Sequence, residues 1–575
     1  MEIKGKSSKN VKQRSKWSAE HSFSEKHDLT TEDIKIQRQT SNPWKLDVAE
    51  SLEIFKQPPS SLLNRDQEIV SIATSTIFAV FLFTIGFFVH KNEITQIILD
   101  DRLKMREIMP YFKWWQNTSD VLVTCKIYVF SVTNGQRWLD KLDNTLNFKE
   151  IGPITYRETL EHLDVVFHPH NSTMSYNSKR QLLFMPEQND DGILNKTIIV
   201  PNTAVLAMAA KLQDSNAIVK WGYRLILSSS GDEVFMNTTV YNYLWNVTSP
   251  IMKSARKVVP FMVPLENIGV LSVMYNDYND RVNIRHGKQF GNEQFFMINT
   301  YRNRPTVPGF MPENGDCFAS IVNASEGAFY PQNLNENSVL IYWRRTLCRA
   351  VPLFFEKEIR RGPLTGYEFV LPDNSYDRLA NATADCYKGQ RILLEDGMTD
   401  MSKCLLDFPV AATSPHYYAR NLSLAHKISG MTPNREKHYS YIIADPTFGI
   451  PIDQCARTQS NLVLPELAGF SKEILSFSNM ILPMFWIEYH QSELPPYVIK
   501  SLQIFYIVKD IQPYLPYFFY VLFLLLLIMT FCKARKFDTR RMEPKPVPIL
   551  EEHKENITFN NNNNMSDTIK KLNNL

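Results

Sequence analysis

The sequence predicts an α+β membrane protein in which two transmembrane helices anchor a large antiparallel β-barrel that carries an inserted cluster of helices. Two long apolar runs, one near each end of the chain, indicate the two anchors. Between them, many short stretches rich in β-branched and aromatic residues, separated by turn residues, are typical of a closed antiparallel sheet. Consecutive short helical patterns at about 203–252 interrupt these strands.

The two apolar runs define the expected topology. The second run contains no charge and is followed by Lys533, Arg535 and Lys536, and basic flanking residues stay in the cytoplasm. The first run lies too far into the chain to be a signal peptide, so both ends of the chain are expected in the cytosol. A buried core helix is the alternative for the second run. The predicted organisation is a disordered cytosolic tail (1–66), a first span (67–90), an extracellular or lumenal domain (91–513), a second span (514–532) and a disordered cytosolic tail (533–575).

Composition and motifs exclude several classes of function. The 575 residues carry a formal net charge of only +3, which does not predict a nucleic-acid partner. Nucleophile elbows, P-loops, dinucleotide fingerprints and zincin helices are missing, so neither an enzyme nor a cofactor is expected. His168 and His170 would share one strand face, but two ligands make a weak site and surface histidines are the favoured interpretation. No metal site is expected.

Cysteines and glycosylation sequons concentrate between the apolar runs. Six of the seven cysteines lie there. Thiols outside the cytosol can form disulfides, and spacing alone leaves their pairing open. The seventh, Cys532, ends the second span beside basic residues and is a candidate for palmitoylation, with an unmodified thiol as the alternative. Eight Asn-x-Ser/Thr sequons between the runs are predicted glycosylation sites: Asn117, Asn171, Asn195, Asn237, Asn246, Asn323, Asn381 and Asn421.

Local patterns predict the elements in order. Residues 93–109 have helical spacing, which Pro110 should end. Glu150 to Arg157, which contains Gly152 and Pro153, reads as a turn that enters a strand. Other strands are predicted within 122–132, 165–168, 182–185, 198–200, 269–300, 367–372, 439–444, 461–464 and 481–487.

The helical cluster begins with Thr203 as a possible cap, and Asp214 or Ser215 could cap the next helix. A third helical segment follows at 242–252. Such a cluster is either buried packing or an exposed cap; we favour the cap because the helices are short and consecutive. Prominent apolar positions of its first two helices are Leu206, Leu212, Ile218, Trp221 and Leu225.

A series of short motifs resembles the class B scavenger receptor family, which includes the fatty-acid translocase, the lysosomal integral membrane proteins and the insect sensory neuron membrane proteins. Each motif is weak alone, but their order between two spans is specific, and 481–486 looks like the insect branch. The resemblance covers about 67–535. Its motifs are Tyr128-Val129-Phe130-Ser131-Val132-Thr133-Asn134, Gly152-Pro153-Ile154-Thr155-Tyr156-Arg157-Glu158, Ser325-Glu326-Gly327-Ala328-Phe329-Tyr330-Pro331, Ser414-Pro415-His416-Tyr417-Tyr418 and Gly430-Met431-Thr432-Pro433-Asn434.

The resemblance implies a β-barrel with a helical bundle at its membrane-distal apex and a lipid tunnel that runs toward the bilayer. The five apolar helix positions named above would then be ligand contacts of the cap. By family order, Cys317 would pair with Cys386 and Cys348 with Cys404. Cys125 and Cys455 remain, both beside predicted strands, and they are expected to pair with each other.

The function that follows is a plasma-membrane glycoprotein receptor that binds lipid or lipoprotein ligands and transfers them to the membrane. A lysosomal location is the less favoured alternative. One rival is a sensory-neuron co-receptor for hydrophobic odorants or pheromones, which would have a sensory receptor as partner. Another is a trafficking receptor that binds a protein without transporting lipid. A homo-oligomer is also compatible with the sequence.

Overall fold

The structure, a computed structural model, describes residues 60–116, 120–260, 263, 265–276, 278–310, 317–381, 384–389 and 392–542. Most of the two predicted tails lies outside these residues, as does the predicted glycosylation site Asn117. Residues 78–526 form one compact unit, which contains all the strands given below.

Helices form both ends of the described chain, from its first residue, Ser60, to its last, Met542. They are α1 (Ser60–Lys91), α2 (Ile94–Arg102), α3 (Pro110–Gln116), α4 (Gly135–Leu139), α5 (Thr203–Lys211), α6 (Ala217–Ser230), α7 (Val240–Trp245), α8 (Pro250–Val258), α9 (Val270–Tyr275), α10 (Arg435–His438), α11 (Lys472–Leu475), α12 (Pro496–Ile511) and α13 (Leu515–Met542).

Most of the described strands belong to one 14-stranded sheet, which is antiparallel apart from the pairing of β13 with β2; β4 and β5 form a separate pair. The strands are β1 (Val123–Val132), β2 (Leu146–His168), β3 (Thr173–Phe184), β4 (Thr197–Pro201), β5 (Phe235–Thr239), β6 (Asn279–Arg285), β7 (Ile298–Tyr301), β8 (Val339–Arg344), β9 (Arg349–Arg361), β10 (Leu364–Val370), β11 (Met398–Asp400), β12 (Val410–Thr413), β13 (Ile428–Ser429), β14 (Tyr441–Ala444), β15 (Pro451–Leu464) and β16 (Met480–Gln491).

Helices α1 and α13 contain segments long and apolar enough to cross a membrane, Arg65–Lys91 and Leu515–Thr539. The α13 helix continues past the predicted end of its span through the basic residues that follow. Gly86 allows the two helices to approach, because a Cβ there would lie 2.9 Å from the ring of Tyr520. The ring of Phe83 packs beside it, 5.8 Å from the Tyr520 ring.

The centre of the sheet is the run β2-β1-β16-β15. Glu158, Val123, Gln491 and Gln454 lie opposite one another across these strands and therefore project from the same face. We call this the cavity face. The other, or back, face carries the alternate residues, such as His490. Apolar or neutral residues fill most positions of β16 because both faces are covered, which explains why its sequence reads as a continuous apolar run rather than an alternating one.

The main strand path begins at β7 and ends at β8, and no ladder pairs these two strands among the described residues. A large antiparallel sheet is therefore confirmed, whereas the closed barrel stays a prediction. The sequence does not identify the hairpin of β8 and β9, because the outer half of β9 is exposed and charged. An exposed edge strand has no buried face and so no clear apolar period.

The Gly152 segment differs from the prediction of a turn that enters a strand. Gly152 lies inside the long strand β2, where the register with β1 shifts between Ile127 and Val129. Its φ is +149°, and a Cβ at this position would lie 2.7 Å from the carbonyl oxygen of Ile127. Glycine is therefore needed for the close approach of the two backbones at a bulge, and not for a chain reversal.

Local capping explains further differences from the prediction. The side chains of Asn202 and Asn216 accept hydrogen bonds from the third backbone N–H of α5 and α6. These asparagines are therefore the caps, and the predicted caps Thr203 and Asp214 or Ser215 are not. The helix predicted over 93–109 already ends at Arg102, so Pro110 does not end it. Pro110 begins α3 instead, because proline fits the first helical turn. Helix α9 occupies part of a predicted strand region.

Candidate functional site

A large cavity opens on the cavity face beside β2 and β16. We call it the charged cavity; its empty volume, counted together with the open solvent at its mouth, is about 1210 Å³. Aromatic and aliphatic side chains supply much of its wall, including Trp114 and Phe329. Four buried charged residues also line it: Glu158, Arg180, Glu326 and Arg344.

Glu158 is the centre of the charge network in this cavity. It accepts hydrogen bonds from Arg180 Nη1 at 3.0 Å, from Tyr275 Oη at 2.7 Å and from Arg344 Nη2. Strand pairing explains the first contact, since Glu158 lies opposite Leu182 and Arg180 is two residues along β3 on the same side. One carboxylate thus holds two buried guanidinium groups.

Glu326 forms the second half of the network. It accepts hydrogen bonds from Tyr176 Oη, from Ser178 Oγ at 2.8 Å and from His162 Nε2 at 3.2 Å. Burial alone would raise the pKa of Glu326, but the hydrogen bond from His162 and the charge of Arg180 lower it to about 2. Both the bonded donors and the lowered pKa keep this buried carboxylate ionised at neutral pH.

The two arginines retain unused donors even though the carboxylates are saturated. Burial opposes the charged form of Glu158, but Arg344 and Arg180 together lower its pKa below the usual value. The Nε–H groups of Arg180 and Arg344 are buried and have no partner among the described protein atoms. Unpaired buried donors are costly, so these two Nε–H groups are an energetic cost of the buried charge network.

A second cavity, the apolar cavity, lies beneath α5. Its empty volume is about 1020 Å³. Lys211 is the charged residue in its lining, and its Nζ donates to the carbonyl oxygen of Leu406 at 3.2 Å. Flexible methionines are well suited to contact apolar ligands of variable shape, and five of them line this cavity: Met208, Met252, Met274, Met401 and Met484.

The two cavities lie along the same strands. Phe485 lines the apolar cavity and Tyr489 lines the charged cavity; both project from the cavity face of β16. Four residues of strand correspond to about 14 Å. Ile487 lies between them on the same face and is fully buried. The cavities are therefore consecutive along the sheet, with Ile487 and its neighbours at the boundary.

The predicted cap contacts divide into two groups. Leu206 is fully buried and Leu212 is partly buried, and both pack in the core below the helices. Ile218, Trp221 and Leu225 are 76%, 58% and 50% exposed. Their spacing of three and four residues places them on one side of α6. The structure thus brings the last three together as an exposed apolar face, and not the first two.

Two disulfides are present in the described chain, Cys317–Cys386 and Cys348–Cys404. They are the pairs that the family resemblance implied. Each joins segments more than fifty residues apart, with sequence separations of 69 and 56, and so restricts the unfolded chain.

The expected pair between Cys125 and Cys455 is wrong. Both are free and buried. Cys125 lies opposite Tyr489 and Cys455 lies opposite His490, so β16 separates the two cysteines and they project from opposite faces. Cα atoms of a disulfide usually lie within about 7 Å, which two strand spacings of about 4.8 Å exceed. The sequence places both cysteines near strands but does not show from which face of the sheet each side chain projects.

The modification sites have the exposure that modification needs. All seven predicted glycosylation asparagines in the described chain are exposed: Asn171, Asn195, Asn237, Asn246, Asn323, Asn381 and Asn421. Cys532 is an exposed free thiol on α13. Exposure allows these modifications without demonstrating them.

Sequence reasoning missed the residues that make the charged cavity. Glu158 appears in a quoted motif, but nothing local signals that Arg180 and Arg344 contact it, since Arg344 is 186 residues away. The one available signal was a charge at the end of an otherwise apolar strand, as at Arg344 in β8. Charged residues are rarely buried without a partner, so a charge in such a strand predicts an oppositely charged partner elsewhere in the chain.

Two candidate membrane helices, a disulfide-linked domain between them and a pair of cavities in that domain are the features of a membrane receptor. The chain belongs to the CD36 family, whose model matches residues 73–534. Scavenger receptor class B member 1 of Rattus norvegicus is 26% identical over 366 residues, 63% of this chain and 69% of that protein.

Two insect relatives show similar identity. Protein peste of Drosophila melanogaster is 23% identical over 384 residues, 66% of this chain and 67% of that protein. Sensory neuron membrane protein 1 of Pediculus humanus subsp. corporis is 22% identical over 410 residues, 66% of this chain and 74% of that protein. Two of these three names are those of a scavenger receptor and of a sensory neuron membrane protein.

Proposed function

We propose that the protein is a cell-surface receptor that binds lipidic ligands and passes them through the interior of its extracellular domain to the membrane. The observation that carries this proposal is the pair of consecutive cavities on one face of the sheet. The apolar cavity lies beneath the cap helix α5, and the charged cavity is lined by α3, which follows the first candidate span. A ligand that passes Ile487 would move from one to the other.

The two linings suit the two parts of an amphipathic lipid. Each methylene group that leaves water gains about 0.8 kcal/mol, so the apolar cavity stabilises hydrocarbon without any catalyst or nucleotide. The polar and charged side chains that line the charged cavity, among them Arg180 and Arg344, then suit the carboxylate, ester or hydroxyl oxygen of the head group.

We also propose that the sheet closes into a barrel through segment 323–325. Ala324 O accepts from Ile298 N of β7 at 2.8 Å, and Asn323 N donates to Ile298 O at 2.9 Å. On its other side, Ser325 N donates to Ile341 O of β8 at 2.7 Å. This segment therefore supplies main-chain hydrogen bonds to both end strands, which is what an enclosed lipid path requires.

In this proposal the exposed face of Ile218, Trp221 and Leu225 receives ligand at the cap. The exposed sequons carry glycans because residues 91–513 are extracellular. Both termini are cytosolic, and Cys532 is palmitoylated at the inner membrane surface. The family relatives and the two candidate spans support this arrangement.

A plug in the apolar cavity tests the transfer path. Ala207, which lines this cavity and is 3% exposed, would be replaced by tryptophan. If the indole displaces about four methylene groups, binding weakens by about 3 kcal/mol, or about two orders of magnitude. Cells that express Ala207→Trp should take up less labelled fatty acid or sterol than wild-type cells at equal surface staining.

Val219→Trp is the matched control, because Val219 is 42% exposed on α6 and the same side chain there leaves the cavity open. Normal uptake by Ala207→Trp at normal surface staining would reject transfer through this cavity. If Ala207→Trp does not reach the surface, Met484→Trp, on the opposite cavity wall, replaces it.

The second candidate function is a sensory co-receptor for hydrophobic odorants, which the insect sensory neuron relative favours. The cavities would then deliver ligand to a neighbouring receptor instead of the bilayer. Ligand-evoked currents in cells that co-express an odorant receptor, lost with the same Ala207→Trp plug, would support this alternative. Lipid uptake without any partner receptor would favour the first.

A further inference from the structure

Three side chains with metal-binding groups meet on the back face of the sheet. Cys455 on β15 lies directly opposite His490 on β16, and Glu488 is two residues before His490 on the same strand. Because side chains alternate along a strand, these three project to one side. A ligand atom from each of the three lies within 4.8 Å of the other two.

We propose that Cys455, Glu488 and His490 bind one Zn²⁺ ion on the back face of the sheet. A thiolate, a carboxylate and an imidazole are all zinc ligands, and three protein ligands leave a fourth position for water. The thiolate and carboxylate together neutralise the two charges of the ion. Soft thiolate with imidazole favours Zn²⁺ over Mg²⁺ or Ca²⁺.

Asp453 completes the arrangement around His490. His490 Nε2 lies 3.2 Å from Asp453 Oδ1, which leaves Nδ1 as the ring nitrogen for the metal. A carboxylate on the second ring nitrogen is the usual partner of a metal-binding histidine, because it fixes the tautomer and the orientation of the ring. Asp453 is itself held by Tyr441 Oη at 3.1 Å.

Positive charges next to the site are the main cost of binding. Glu488 is paired with Lys126 Nζ at 3.0 Å and with Arg457 Nε at 2.7 Å. The Lys126 side chain is 32% exposed and can turn into solvent when the ion takes Glu488 Oε1. Burial raises the pKa of the Cys455 thiol, so zinc must displace its proton to solvent.

The geometry needs only small adjustments. Zinc bonds of about 2.0–2.3 Å place tetrahedral ligand atoms roughly 3.5 Å apart, so movements of about 1 Å bring the three atoms into position. The His490 side chain is 25% exposed and gives the ion a way in. A spacing search along the sequence does not find such a site, because one ligand comes from the neighbouring strand.

The test uses the full chain, purified in detergent with a tag that contains no histidine and then freed of metal. Titration with Co²⁺ should produce the near-ultraviolet band of a thiolate–cobalt bond, and added Zn²⁺ should abolish it by displacement. Metal analysis after dialysis with Zn²⁺ should give one equivalent per chain. Absence of the thiolate–cobalt band in the wild type overturns the proposal without any variant.

Variants then assign the ligands. Cys455→Ser and His490→Ala should abolish the band, and Asp453→Asn should weaken Zn²⁺ affinity by about 10–100-fold. Cys125→Ser is the matched control, since Cys125 is also free and buried but projects from the cavity face; it should keep the band. A band that survives Cys455→Ser, or is lost in Cys125→Ser, would refute the assignment. The Ala207→Trp plug of the apolar cavity should leave zinc binding unchanged, which separates this proposal from the proposed function.

Discussion

Replacing Glu158 by glutamine tests whether the charge network holds the cavity wall together. The amide keeps the shape of the side chain but leaves Arg180 and Arg344 without their shared carboxylate; both arginine side chains are only 6% exposed. Removing one partner of a buried ion pair costs about 3–5 kcal/mol, because the remaining charge is buried and unpaired. For roughly 400 folded residues at about 2.1 cal/mol/K each, the entropy of unfolding is about 0.8 kcal/mol/K, so Tm should fall by about 5 °C.

Thermal unfolding of the purified chain in detergent, at one scan rate for all variants, measures this effect. Glu161→Gln is the matched control on the same strand. Its partner is Lys179 Nζ at 3.6 Å, and both side chains are more than a third exposed. Such an exposed pair contributes only about 0–1 kcal/mol to stability. Equal changes in Tm for the two variants would refute the claim that Glu158 is a structural centre.

Two further predictions concern titration and the cap. Burial and the neighbouring His416 lower the pKa of His438 from its usual value to about 4. As the pH drops from 6.5 to 4, the unfolded chain takes up a proton that the folded chain does not, so the folded state loses stability as the pH is lowered. The Tm of His438→Gln should therefore fall less than that of the wild type over this interval; identical pH profiles would reject the burial of a neutral imidazole. Trp221→Glu should leave Tm unchanged, because Trp221 is exposed, but should reduce binding of fluorescent lipid particles to cells by about tenfold, as for an aromatic hot spot; unchanged binding would remove the α6 face from ligand capture.

The central strands could be predicted because their residues have strong local signals. The apolar run of β16 and the β-branched alternation of β1 identify both strands from sequence alone. The two spans follow from length and lack of charge. The signals for these strands and spans lie within the segments themselves, so they could be predicted without knowledge of the fold.

The cavities and the cysteine partners could not be predicted, because they depend on register between distant strands. The contact between Glu158 and Arg344 requires residues 186 positions apart to meet. Cys125 and Cys455 differ in face only because their partners on β16, Tyr489 and His490, are consecutive residues. A shift of one residue in register would reverse the face of either cysteine.

The most direct test of the account is to locate a lipid inside the protein. The full chain would be purified in mild detergent, incubated with a photoreactive fatty acid or sterol, irradiated, and mapped by peptide mass spectrometry. Cross-links should form at residues that line the cavities, such as Met208, Met484 and Phe329, and unlabelled lipid should compete with them. Cross-links confined to the apolar surfaces of α1 and α13, with none in the cavities, would contradict the account.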